Sequence, residues 1–323
     1  MRERLFNNKL LLVILLAALA ILPFVTDSKF LLSMMITVFI MAVYGMSYDL
    51  LLGYTGIVSF GHAIFFGVGA YSVGILLAKT GDKGLLWLAV GLAIVLSIVL
   101  GILVGVLSLR VKDVYFSMVT LAVGELLFII AEKWNTLTGG NDGLTYIPVP
   151  KIFHDRLAFY YIALLFLAVM YLFLRRVVSS PLGRTLQAIR ENEHRVRSLG
   201  YNVLQYKVAS IVISGVVATL AGAMWALFQR YINTSVLGLD RTIDALLMTI
   251  IGGSGTLIGA VFGSGVITFV HDWLSSLSGV SPIFERYMMF FGIIYIIIVI
   301  WFPKGIIGTI RDKWMSLRHS RRS

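Results

Sequence analysis

Long apolar runs separated by short charged ones organise this chain. The runs Leu10 to Val25, Phe30 to Tyr48, Ile57 to Ala78, Leu85 to Leu109, Val114 to Ala131, Ala158 to Leu174, Val208 to Phe228 and Arg286 to Phe302 each approach the roughly 20 residues an α-helix needs to cross bilayer hydrocarbon. None alternates as a barrel strand does. Backbone polar groups in lipid need partners inside their own segment, so the pattern predicts an all-α membrane protein, a polytopic helical bundle. A further apolar stretch, Thr242 to Leu274, is interrupted by Gly252-Gly253-Ser254-Gly255. It reads as two short spanning helices, for about ten crossings, or as a re-entrant pair, for eight; ten is preferred. The first run, preceded by MRERLFNNK, also has the form of a signal peptide. It is long for one and another span follows at once, so it is taken as the first transmembrane helix.

Two connections are longer than the rest. Glu132 to Leu157 contains TGGNDG, whose Gly, Asn and Asp favour turns with positive φ, so a structured loop is expected. Arg175 to Lys207 is basic and amphipathic: Leu182, Leu186, Ile189, Val196 and Leu199 fall on one helical face, with Pro181 suited to a helix start and Gly200 to a stop. Such a helix fits either an anionic lipid surface or a groove on a soluble partner. Glu191 and Glu193 interrupt the positive face and favour the partner. No linker or internal repeat stands out, so residues 1–323 are read as one transmembrane domain carrying this segment.

Composition strengthens the membrane reading: 59% of residues are hydrophobic and 13% charged, with a mean hydropathy of +0.91, too little polar surface to coat a soluble globule. The net charge of +11 suggests nucleic acid only until the cations are placed. With the N-terminus in the cytoplasm, 18 of the 27 Lys and Arg fall in cytoplasmic segments, which is the positive-inside pattern. Both termini are therefore expected inside, and the partner surface is lipid, not nucleic acid. With no cysteine there is no disulfide or thiolate site.

Catalytic motifs are lacking: there is no GxxxxGK[ST] loop, HExxH helix or GxSxG elbow. No catalytic or metal-binding residue is expected. GGSGTLIGAVFGSG lacks a phosphate-binding Lys and reads as close helix packing. In GYTGIVSFGHAIFFGVGAY, the density of Gly and small residues fits tight packing or a broken helix lining a pathway; Ser59, Gly61 and His62 are its pathway candidates. His62 reads first as a satisfied core histidine. Glu125, an intramembrane carboxylate, suits a structural or a pathway role equally. Asp49 and Asp244 lie near run ends, where solvation is cheap, and no role is assigned to them.

Six segments in register carry a resemblance: YDLLLGYTGIVSFGHAIFFGVGAY, LRVKDVYFSMVTLAVGELL, LTGGNDGL, SPLGRTLQAIRENEHRVRSLGYNV, LAGAMWALF and IIGGSGTLIGAVFGSGV. Together the chain resembles the LivM-type permeases of ATP-binding cassette importers for branched-chain amino acids, and is similar also to urea and short-amide permeases. The resemblance implies a subunit of a transporter in the cytoplasmic membrane of a bacterium or archaeon. Its implied partners are a LivH-type second permease, two ATP-binding subunits that use ATP and Mg, and an extracytoplasmic substrate-binding protein; this chain would bind no cofactor itself. Gly183, Arg184, Ala188, Ile189, Arg190, Glu191, Asn192 and Gly200 match the loop that contacts the ATPase. Thr138, Gly139, Gly140, Asn141, Asp142 and Gly143 match a signature expected near the outer mouth, with substrate contact a guess. A proton-coupled secondary transporter using Glu125 and His62 is the alternative of a different class, and leaves the loop pattern unexplained.

Overall fold

The computed structural model describes residues 19–24, 28–108, 111, 114–277, 292, 301 and 305. Its principal helices are α1 Lys29–Asp49, α2 Ala63–Thr80, α3 Leu86–Ser108, α4 Val114–Lys133, α5 Arg156–Ser179, α6 Pro181–Glu191, α7 Glu193–Ser198, α8 Val203–Gln229, α9 Leu239–Gly252 and α10 Leu257–Leu277. Their starts are chemically marked. Ser28, Asp155, Ser180, Asn192 and Asn202 each turn a side-chain oxygen onto a first-turn N–H, satisfying donors the helix cannot pair itself.

Among the described residues, seven helical stretches have the length and hydropathy to cross a membrane, so the chain is an all-α, multi-pass membrane protein. The stretches are not equivalent. In α1, α2 and α8, 67% of the most apolar window is buried, against 28% in α3 and α4. The first three form the centre of the bundle. There α2 and α8 cross with backbones touching: a Cβ on Gly69 would overlap the Thr219 carbonyl, and one on Gly222 the Phe66 carbonyl. In lipid, where apolar tails are no worse a neighbour than Leu, such close approach is what holds helices together. On α3 the same logic turns the helix inside out. Ala89, Ala93, Ser97, Gly101 and Gly105 face inward, while Leu92, Leu96, Val99 and Leu103 are exposed.

Two apolar stretches and one connection depart from the sequence expectation. The run Ile57 to Ala78 is not one helix: α1 continues as a π-helix, Leu50–Thr55, Gly56 turns the chain at φ +75, and α2 begins only at Ala63. A run of apolar and small residues has no polar mark to betray such a break. The cytoplasmic-type segment, expected over 175–207, is shorter, because α5 continues to Ser179 and α8 starts at Val203. The Gly-broken stretch is one full span, α10, and one half-length helix, α9. Residues 230–238 lead into α9 in largely non-helical form, passing down α2 with Ile232 against Gly74 and Leu237 against Gly67. The first run is described only at residues 19–24, which are helical. The last run and the basic tail fall outside the described residues except at 292, 301 and 305.

Candidate functional site

Two sets of side chains stand out, one at the bundle end carrying α6 and one deeper beside the start of α2. The first begins with Asp49. It is fully buried, so its placement near a run end, where solvation would be cheap, is corrected: α1 continues past it into the π-helix. Its Oδ1 accepts the Gly255 N–H at 2.7 Å, and its Oδ2 has no hydrogen-bond partner. Gly53 makes this possible, since a Cβ there would overlap both the Asp49 carboxylate and the Gly255 nitrogen. The Gly53 carbonyl, loosened by the wide π-turn, accepts a hydrogen bond from the Arg190 guanidinium. The Arg190 stem lies along Gly56, and its guanidinium also reaches Gly255. One side chain of α6 thus touches the break after α1 and the break between α9 and α10.

The other coupling-loop residues build the platform for that reach. Gly183 packs where a Cβ would overlap the Val178 carbonyl, closing the α5–α6 corner. Leu186, Ile189 and Val196 are buried, while Arg184, Ala188 and Glu191 are exposed. The single amphipathic helix expected over Leu182 to Leu199 is instead two: Asn192, at φ −159, ends α6 and caps α7 through the Arg195 N–H, and Leu199 is 71% exposed. Gly200 stops α7 at φ +87. Glu193 pairs at 2.7 Å with both Arg197 and Lys207, fastening α7 to α8 and leaving the outer face predominantly basic.

The second set surrounds His62, which is fully buried and contacts Tyr44, Tyr48 and Phe65 through its ring. Ser47 gives its one hydroxyl hydrogen to the Tyr44 carbonyl at 2.6 Å. His62 Nε2, 2.9 Å from Ser47 Oγ, must therefore be the donor there, which leaves Nδ1 as a bare acceptor without a partner. Nearby, the Ser59 carbonyl accepts the Tyr48 hydroxyl at 3.1 Å. The Ala63 N–H donates to Thr242 of α9 at 3.0 Å. Gly61 lies flush with the Thr120 carbonyl and with Gly124, the residue before Glu125. Ser59, Gly61 and His62 are thus gathered around the break between α1 and α2, with Gly124, the neighbour of Glu125, packed against it.

The TGGNDG residues are elsewhere. Lys79, at the far end of α2, binds the Thr136 carbonyl at 2.9 Å, which places the loop a whole helix length from His62. Thr138 donates to the Ala131 and Trp134 carbonyls and accepts the Gly140 N–H, and Gly139, Gly140 and Gly143 take positive φ. The turn ends in an antiparallel bridge between Leu144 and Ile232. The Asn141 and Asp142 side chains are exposed. At this same end, α1, α5, α8 and α10 surround a cleft of about 540 Å³ bordered by His154, Arg156, Arg230 and Asp272.

With this geometry in place, similarity to known proteins narrows its meaning. Residues 30–300 match the family described as branched-chain amino acid transport system / permease component. The high-affinity branched-chain amino acid transport system permease protein LivM of Escherichia coli is 26% identical over 334 residues, covering 95% of this chain and 76% of the relative. A probable branched-chain amino acid transport permease protein LivM of Methanocaldococcus jannaschii is 26% identical over 306 residues, covering 81% and 88%. The autoinducer 2 import system permease protein LsrC of Photorhabdus laumondii is 27% identical over 173 residues, about half of each chain. No solved structure matches.

Proposed function

The chain belongs to the branched-chain amino acid transport system permease-component family, and from that premise we propose that it is one of two membrane subunits of an ATP-driven importer of leucine, isoleucine and valine. In this reading α6 and α7 face the cytoplasm and receive an ATP-binding subunit. A LivH-type permease completes the pathway, and an extracytoplasmic binding protein delivers substrate at the opposite face. ATP and Mg are used by the partners. Similarity to two LivM proteins over most of this chain supports branched-chain amino acids over urea or short amides.

The observation that carries the proposal is the Arg190 bridge. An exposed, basic, two-part helix at one membrane face sends one guanidinium to the carbonyl of Gly53 and to Gly255. Those are two breaks between membrane-embedded helices among the described residues. When ATPase closure displaces α6, Arg190 leaves Gly53, the Asp49–Gly255 bond loses its supporting charge, and α9 is released to move against α1. Glu191, exposed beside Arg190, is positioned for the partner.

The test is uptake in proteoliposomes holding the whole transporter. Uptake should require ATP hydrolysis by the copurifying ATPase, and the double variant Arg190→Ala, Glu191→Ala should hydrolyse ATP without uptake while substrate delivery stays intact. Uptake by this chain alone, driven by a proton gradient, would overturn the importer reading. Binding assays on the partner binding protein decide the substrate.

A further inference from the structure

Helix α9 carries charge inside the hydrocarbon. Its far end leads to Gly255, held by Asp49 next to Arg190 of α6. Fourteen residues at about 1.5 Å each put its first turn at most roughly 20 Å from that membrane face, within a core about 30 Å thick. Its neighbours agree, since Thr249 bonds the Gly45 carbonyl of α1 and Thr242 the Ala63 N–H of α2. On this first turn Asp240 is exposed, and Arg241 and Asp244 are partly exposed and 3.6 Å apart. Arg241 also lies 4.9 Å from the centre of the Trp225 ring. Two carboxylates and a guanidinium on one turn cannot face lipid tails at this depth; charged groups there face a cavity or the inside of an assembly.

Two further observations point to a ligand rather than to a second protein surface. The Tyr44 hydroxyl, on a fully buried side chain, lies beside Thr242 with the Arg241–Asp244 pair in electrostatic range, and no well-formed hydrogen bond satisfies it. Gly238 supplies no side-chain cap to the α9 N-terminus, so first-turn N–H groups are left without a side-chain acceptor beside the same groups.

We propose that the first turn of α9 lines the water-filled route through the membrane and receives a zwitterionic substrate. Arg241 and the helix terminus take its carboxylate, Asp240 takes its ammonium, Asp244 holds Arg241 in place, and Tyr44 supplies a further polar contact. A neutral urea or amide would leave both charges unanswered. The inference rests on the transport reading above and adds to it the position of the route and the charge type of what passes.

Because the chain has no cysteine, the test is direct. Asp240→Cys, Ile243→Cys and, as the lipid-exposed control on α3, Leu96→Cys are placed one at a time in the complete transporter and exposed to a charged, membrane-impermeant methanethiosulfonate. Asp240→Cys and Ile243→Cys, on the same face, should each react at least tenfold faster than Leu96→Cys, and Ile243→Cys, which leaves all three charged groups in place, should be protected during turnover with leucine. Arg241→Gln should lower leucine uptake at least tenfold with ATP hydrolysis retained, and Arg241→Lys should restore part of it. Reaction of both α9 positions at the Leu96→Cys rate, or full leucine uptake by Arg241→Gln, would overturn the inference. Loss of ATP-driven uptake by the unsubstituted complex would instead sink the importer reading, which the labelling rates do not depend on.

Discussion

The link between Asp49 and Arg190 can be measured as a coupling energy, using Asp49→Asn, Arg190→Gln and the double variant. Both side chains reach Gly255 without forming an ion pair, so for an ionised Asp49 a separation on the order of 6 Å sets the scale. At an effective dielectric of about 20 that attraction is about 3 kcal/mol. Solvent around the exposed stem of Arg190 reduces it to ~1–2 kcal/mol. Asn at position 49 keeps an acceptor for the Gly255 N–H, and Gln at 190 keeps a donor for the Gly53 carbonyl, so the cycle isolates charge from hydrogen bonding. Unfolding free energies of the complex in mixed detergent should show each single variant destabilised and the double variant less so than their sum, by that ~1–2 kcal/mol. The ratio of substrate moved to ATP hydrolysed should fall in the same order. Additivity within about 0.5 kcal/mol would refute the electrostatic link and leave the Arg190 contact as packing alone.

Other expectations follow from single contacts. Gly69→Ala drives a methyl into the Thr219 carbonyl at the α2–α8 crossing and should cost about 1–3 kcal/mol in the same unfolding assay. Gly91→Ala on α3 meets nothing within 4 Å and should fold as well as the parent. Thr242→Val strands the Ala63 N–H and should cost about 1–3 kcal/mol, while Thr242→Ser, which keeps the acceptor, should not. Glu193→Gln breaks two partly exposed ion pairs and should shift stability by less than about 1 kcal/mol, an effect expected to shrink further in high salt.

The helical bundle was legible because lipid enforces it: backbone satisfaction and span length leave few choices. What the runs concealed were interruptions made of apolar and small residues. Ile57 to Gly61 is as apolar as a helix turn, and only the Gly56 position, at φ +75, carries the break. Asp49 read as a run-end residue because nothing in sequence shows that α1 goes on as a π-helix. Asp244 read as the solvated edge of a span for a related reason: residues 230–238 descend into the bundle first, so it enters the membrane with the helix that Asp240 and Arg241 begin. The division of the basic segment into α6 and α7 was signalled. Asn192 followed by Glu193 is a helix-start pattern, and the continuous apolar phase from Leu182 to Leu199 masked it. His62 and its neighbours were chosen for residue type; that they gather at one break while TGGNDG sits a helix length away is a matter of tertiary packing.

The Leu144–Ile232 bridge has a mechanical meaning. From Ile232 to Leu239 the chain spans seven residues, at most about 24 Å when fully extended, so α9 hangs by a short cord from the bundle end that carries TGGNDG. Its lower end is knotted at Gly255. While the Asp49–Gly255 bond holds, a rod tethered at both ends swivels more readily than it slides. Rotation about its own axis is the easier motion for α9, and it would turn one row of side chains away from the route as it brought the next one in.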